Sequence, residues 1–185
     1  MFIATESTPN PATLKFLPQR TVLESGTRDF SDAEAAKVSP LAEALFAIEG
    51  VNGVFFGEDF ISVTKSDDAA WDGIKTEVMA AIMEHFVSGA PLLRPEAAAG
   101  GHAAEEEGED ELVAQIKAIL DQKVRPAVAR DGGDIVYRGF SDGIVYLHMQ
   151  GACSGCPSST ATLKHGIENL LRYYLPEINE VRAIG

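Results

Sequence analysis

The sequence predicts an α+β protein of two small α/β domains joined by a flexible acidic linker. Three observations support this prediction. Both halves of the chain contain alternating apolar and polar runs, which predict strands, and apolar residues at helical spacing, which predict helices. An acid-rich stretch that is poor in large apolar residues separates them. A length of 185 residues is enough for two domains with modest cores. We assign residues 1–89 and 112–185 to the domains and residues 90–111 to the linker.

In the first domain, short runs of alternating or β-branched residues predict strands at residues 2–5, 12–17, 51–56 and 60–65. A short glycine-containing loop joins the last two, which favours a hairpin. Ser39 and Pro40 are suited to the N-cap and first turn of a helix. Apolar residues at helical spacing predict a longer helix over residues 69–88, with Asp67 or Asp68 as its cap.

The second domain is predicted to follow the order α-β-β-α-β. Its first helix begins near residue 112, and Pro126 is expected to kink or divide it. A tight turn at Gly132 and Gly133 leads into two hairpin strands, at residues 135–140 and 144–149. A helix then runs from Pro157, and a short strand over residues 178–184 ends the chain.

The predicted linker differs from both domains in composition. Two prolines, an Ala-Gly run and six acids between residues 105 and 111 leave little material for a core. Charges of one sign repel one another and keep such a segment extended. A solvated spacer is the simplest interpretation.

Charge and hydropathy exclude two classes of partner. The net charge is −13, and residues 112–185 carry 8 Lys/Arg against 7 Asp/Glu without a basic cluster. Nucleic-acid binding requires a basic face, so we expect none. No apolar run approaches the length of a membrane span, so we expect no membrane partner. The N-terminus lacks signal and transit features, so we expect a cytoplasmic protein of bacterial type, or a mitochondrial-matrix protein from which a presequence has been removed.

The candidate site consists of Cys153 and Cys156, the only two cysteines in the sequence. They lie between a predicted strand and a predicted helix, separated by Ser154 and Gly155. Unpaired N–H groups at a helix N-terminus favour the thiolate form of nearby cysteines. The pair therefore resembles a compact two-thiolate ligand.

Four uses of this pair remain open. A reversible disulfide fits the spacing, but the chain lacks the upstream βαβ pattern of a thioredoxin-type protein. Zinc requires four ligands, and beyond the two thiols only His148 and His165 are available as remote candidates. Inert buried thiols fit poorly with glycine, serine and proline neighbours. A [4Fe-4S] cluster requires four thiolates, which a symmetric dimer supplies across its axis. Ligand number favours this last use, although spacing alone leaves a [2Fe-2S] cluster or mononuclear iron open.

Two segments carry a resemblance to a known family. The segment from Asp131 to Ile135 and the segment from Leu147 to Lys164, which includes both cysteines, resemble the C-terminal NifU-like domain of Nfu-type proteins. The opening, from Phe2 to Phe16, resembles the N-terminal domain that accompanies it. Together the two resemblances cover nearly the whole chain except the linker.

This resemblance implies a function. Nfu-type proteins act in iron–sulfur protein maturation as late scaffolds or carriers that pass a [4Fe-4S] cluster to apo-enzymes. It implies that Cys153 and Cys156 are the cluster ligands and that the cluster bridges two chains as a homodimer. It further implies a carrier rather than an enzyme, with an upstream scaffold as donor and apo iron–sulfur proteins as recipients. The first domain has no thiol and is assigned to partner docking.

Overall fold

A computed structural model describes residues 1–95, 110–154 and 157–184. The chain divides into two compact units between residues 103 and 104. Most of the predicted linker, residues 96–109, lies outside the described residues, as do Gly155 and Cys156.

The N-terminal unit combines an antiparallel sheet with three helices over its described residues. The elements are β1 (Ala4–Ser7), β2 (Thr13–Leu17), β3 (Arg28–Phe30), α1 (Ala33–Ala36), α2 (Pro40–Phe46), β4 (Val51–Phe56), β5 (Ile61–Lys65) and α3 (Trp71–Ser88). The sheet order is β1-β2-β5-β4-β3. Its core combines inward residues of β2, β3, β4 and β5 with those of all three helices, and Phe16, Ile61 and Val78 are fully buried. β1, β2, β4, β5 and both longer helices lie close to their predicted positions.

Two element boundaries in this unit differ from the predictions. β1 begins at Ala4, and Phe2 is exposed, because pairing with β2 sets the strand's position from Ala4 opposite Leu17. The cap of α3 is Ala70, with no side-chain hydrogen bond, so the predicted cap by Asp67 or Asp68 is wrong. Ser66 instead accepts a turn hydrogen bond from Ala69, which keeps the two acids outside the helix.

The unit also continues past residue 89. Leu92 and Leu93 pack against its core, and the backbone N–H of Arg94 donates to the carbonyl of Val38 at 2.8 Å. The Arg94 guanidinium also pairs with Glu43 at 2.7 Å. The first residues assigned to the linker are therefore packed on this unit.

The C-terminal unit is a three-stranded sheet with helices. Its elements are α4 (Glu111–Ile119), a π-helical turn (Leu120–Val124), α5 (Arg125–Arg130), β6 (Gly133–Ser141), β7 (Ile144–Gly151), α6 (Pro157–Tyr174) and β8 (Glu180–Ile184). The sheet order is β6-β7-β8, antiparallel between β6 and β7 and parallel between β7 and β8. The mixed α and β content of both units confirms the predicted α+β class.

The hairpin and the proline behave as the sequence predicts. Asp142 and Gly143 both have positive φ, 52° and 76°, which is the geometry of a two-residue hairpin turn. Pro126 has no N–H to donate to the carbonyl of Gln122, and the helix widens into the π-helical turn at that point. The buried core of this unit includes Ile116, Leu147 and Leu171. No described helix is both long and apolar enough to cross a membrane.

Candidate metal centre

Cys153 lies in the short connection between β7 and α6. Gly151 ends β7 with a positive φ of 63°, which turns the chain out of the sheet. The N–H of Ala152 donates to the carbonyl of Gly132 at 3.2 Å, so the connection is tied to the turn that precedes β6. Ser154 donates both its N–H and its hydroxyl to the Gly151 carbonyl, at 3.1 and 2.9 Å. The local chain is thus closed by hydrogen bonds on both sides of the cysteine.

The helix that follows also holds Cys153. The hydroxyl of Thr160, in the first turn of α6, donates to the Cys153 carbonyl at 3.0 Å. Sequence reasoning did not identify Thr160 as part of the site. Its position seven residues after the cysteine gave no signal, because the contact depends on how α6 packs beside the loop.

Gly133 lies directly against the cysteine side chain. A β-carbon at this position would lie 2.6 Å from the Cys153 sulfur and 2.6 Å from the Gln150 carbonyl oxygen. Both distances are shorter than van der Waals contact permits, and one involves rigid backbone. Glycine is therefore required here to leave room for the sulfur. From the sequence, this glycine was expected only to form a turn.

A buried ion pair supports the same strand. The Asp134 side chain is 3% exposed and accepts two hydrogen bonds from Arg125 of α5, Nε to Oδ1 at 2.9 Å and Nη2 to Oδ2 at 2.7 Å. Oδ1 also accepts the backbone N–H of Ile135 at 2.8 Å. The hydrogen bond to Asp134 raises the pKa of Arg125. This bidentate contact fixes the start of β6, and with it Gly133, relative to α5.

The surroundings of Cys153 disfavour the thiolate form of its side chain. Cys153 is 6% exposed, and burial raises the pKa of its thiol to about 12, with the carboxylates of Asp131 and Asp134 adding to the shift. The expectation of a thiolate at the helix N-terminus is therefore wrong for Cys153 here. Desolvation by burial is the largest cause of the shift, and the two neighbouring carboxylates also disfavour a negative charge on the sulfur. A bound cation or metal cluster would reverse this balance by supplying positive charge at the sulfur.

The histidines do not join the described site. His148 Nδ1 lies 2.9 Å from the Ile184 carbonyl oxygen, which links β7 to the end of β8. His165 is exposed on α6. Over residues 1–95, 110–154 and 157–184, no group of three or more His, Cys, Asp or Glu side chains is arranged to hold a metal ion. The described part of the site offers one thiol, and Cys156 lies outside it.

Comparison with known proteins places this two-unit fold in a family. Residues 3–89 match the profile described as "Scaffold protein Nfu/NifU N terminal", and residues 116–182 match the "NifU-like domain". The fold and the cysteine-bearing connection therefore define a two-domain NifU-like protein. The chain belongs to the Nfu family, and the resemblance noted in the sequence is confirmed.

Relatives match along the whole chain. The human protein named "NFU1 iron-sulfur cluster scaffold homolog, mitochondrial" is 51% identical over 185 residues, which cover 100% of this chain and 72% of the relative. "NifU-like protein 4, mitochondrial" of Arabidopsis thaliana is 53% identical over 184 residues, which cover 98% of this chain and 65% of the relative. The chain thus spans about two thirds of the length of these relatives.

Solved structures give more distant matches. A solution structure of a NifU-like protein from Saccharomyces cerevisiae matches with a TM-score of 0.47 and 24% identity, over 51% of this chain and 86% of that one. The crystal structure of protein SAV1430 from Staphylococcus aureus matches with a TM-score of 0.39 and 28% identity, over 44% of this chain and 99% of that one.

The expected cytoplasmic location is wrong. The human, Arabidopsis and Drosophila relatives are all named as mitochondrial proteins, which points to mitochondria.

Proposed function

We propose that this protein is an iron–sulfur cluster scaffold that holds a [4Fe-4S] cluster between two copies and transfers it to apo-proteins. The relatives named as iron–sulfur cluster scaffolds support the scaffold role. The observation that carries the finer proposal is that the chain has two cysteines, three residues apart, at the junction of β7 and α6.

Ligand number is the reason for the dimer. A [4Fe-4S] cluster takes four cysteine thiolates, and one copy supplies Cys153 and Cys156. A twofold axis through the cluster brings the same two thiols from a second copy. A cluster held at the boundary between two chains can leave when they separate, which suits transfer.

The role is binding and transfer rather than catalysis. An upstream scaffold is the donor, and apo iron–sulfur proteins are the recipients. The N-terminal unit has a core of its own and contains no cysteine, so it does not provide thiolate ligands. Partner docking is the role that remains for it in this proposal.

Anaerobic reconstitution with iron and sulfide tests the proposal. We expect about four irons and about four sulfides per dimer, following the four-thiolate requirement. Cys153→Ser and Cys156→Ser should each abolish this binding and leave a monomer. His148→Gln, which keeps both thiols, is the matched control and should bind the full cluster.

Other outcomes would contradict the proposal. Zinc without sulfide in a dimer would identify a zinc-bridged module, and a metal-free monomer with a Cys153–Cys156 disulfide would identify a dithiol oxidoreductase. About two irons and two sulfides per dimer would replace the cubic cluster with a [2Fe-2S] cluster, and iron without sulfide would indicate mononuclear iron.

A further inference from the structure

The side chain that is proposed to bind the cluster faces inward. Cys153 is 6% exposed and belongs to the hydrophobic core of the C-terminal unit, with Gly133 directly behind its sulfur. A cluster shared by two copies touches the surface of each. The Cys153 sulfur must therefore become accessible before it can bind such a cluster, and the contacts that keep it inside control that step.

Thr160 of α6 provides one side-chain contact that keeps Cys153 in its buried position. Its hydroxyl donates to the Cys153 carbonyl at 3.0 Å and joins the loop to the first described turn of the helix. Two hydrogen bonds of Ser154 end on the Gly151 carbonyl and close the loop on itself. Ala152 attaches the other side of the loop to Gly132 through the backbone, which no side-chain change removes.

We propose that Thr160 is a positioning residue that holds Cys153 in its buried position, and that release of this hydrogen bond accompanies exposure of the thiol. The link to cluster binding rests on the proposed function. The effect on thiol accessibility does not, because it follows from the metal-free geometry alone.

Alkylation of the metal-free, reduced, full-length protein tests this role. The probe is iodoacetamide, and labelling at Cys153 is followed over time by mass spectrometry of the cysteine-containing peptide. Thr160→Val keeps the branched shape and removes the hydroxyl. We expect it to be labelled about fivefold faster than wild type, the factor that corresponds to a hydrogen bond of about 1 kcal/mol. Thr160→Ser keeps the hydroxyl and should be labelled at a rate close to that of wild type.

A second variant separates local release from general unfolding. Leu171→Ala removes a fully buried side chain from the same helix and leaves Thr160 in place. Suppose that Leu171→Ala and Thr160→Val lose equal stability in urea and are labelled equally fast. Labelling then reports unfolding, and the proposal is overturned. A Thr160→Val rate equal to wild type, or a Thr160→Ser rate equal to Thr160→Val, also overturns it. If wild type binds no cluster on reconstitution, the proposed function fails, while the labelling comparison still decides the role of Thr160.

Discussion

Gly133 lies behind Cys153 with no room for a side chain, and this restriction can be tested directly. In Gly133→Ala the new β-carbon would lie 2.6 Å from both the Cys153 sulfur and the Gln150 carbonyl oxygen. The carbonyl belongs to β7 and cannot move without disturbing the β6–β7 pairing. We expect a loss of about 1–3 kcal/mol in the free energy of unfolding of the C-terminal unit, as for other overpacked sites. We also expect reduced iron binding on reconstitution, because the sulfur is displaced.

Gly139→Ala provides the matched control for this substitution. Gly139 lies in the same strand, and a β-carbon there would meet nothing within 4 Å. Its φ is not in the left-handed region, so alanine fits without strain. Urea unfolding and iron content should therefore stay at or slightly above wild-type values. Equal losses in both variants would contradict the role assigned to Gly133.

At the scale of elements, the contact between α5 and β6 fixes the start of β6, which packs against the cysteine loop through Gly133. Arg125→Gln would remove the guanidinium that donates two hydrogen bonds to the carboxylate of Asp134, whose side chain is 3% exposed. Removing one partner of a buried ion pair costs about 3 kcal/mol or more. We discount this to about 2 kcal/mol, because Arg125 is itself 30% exposed and water can reach its site. Chemical unfolding of the C-terminal unit, followed by circular dichroism, measures the loss.

Arg182→Gln is the control for that prediction. It breaks an exposed ion pair with Glu180 at 3.1 Å on β8, where solvent screens both charges. Its stability should remain close to that of wild type. If the two arginine variants are equally stable, the pair between Arg125 and Asp134 does not stabilise the start of β6.

The predicted elements show what sequence periodicity can and cannot reveal. α2 and the β4–β5 hairpin follow from local signals, an N-cap serine accepting from Ala42 and a short loop between β-rich runs. β3 and α1 were not predicted. β3 has three residues and is defined by pairing with β4, and α1 has four residues behind Asp32, so neither is long enough to show a period.

The site likewise combines features that local sequence predicts with features that only the folded unit creates. The position of Cys153 at a strand-to-helix junction follows from local sequence. Its burial, its raised pKa and its contacts with Gly133 and Thr160 arise from elements that meet only in the folded unit. A spacing pattern contains no information about these contacts, so the expectation of a thiolate at Cys153 could not be corrected from the sequence.

At the scale of the whole molecule, the two units have separate hydrophobic cores, and only the N-terminal unit contains a tryptophan. Trp71, the only tryptophan in the sequence, begins α3 and donates from Nε1 to the Pro11 carbonyl at 3.2 Å. Its fluorescence therefore reports the N-terminal unit. Both proposed cluster ligands belong to the other unit. Changes in the N-terminal unit can thus be followed by tryptophan fluorescence in the metal-free protein.

We expect His85 to make the N-terminal unit sensitive to acid. It is 8% exposed on α3, and burial lowers its pKa below the usual value of 6.5. Because the folded-state pKa lies below that of the unfolded chain, protons bind more tightly to the unfolded chain. The contribution of neutral His85 to stability is therefore complete above the unfolded pKa and is lost as the pH falls through the folded pKa. We expect urea unfolding, followed by Trp71 fluorescence, to show lower stability at about pH 5.5 than at about pH 7.5.

Substitution isolates the contribution of this histidine from that of the many carboxylates. His85→Gln cannot gain a proton in this range, so its stability should fall less between the two pH values than that of wild type. His165→Gln removes an exposed histidine of the other unit and should show the wild-type dependence. An unchanged pH dependence in His85→Gln would show that acid acts on the N-terminal unit through other groups. The wild-type difference should also persist in Cys153→Ser, because His85 lies on α3 of the N-terminal unit and Cys153 belongs to the core of the C-terminal unit.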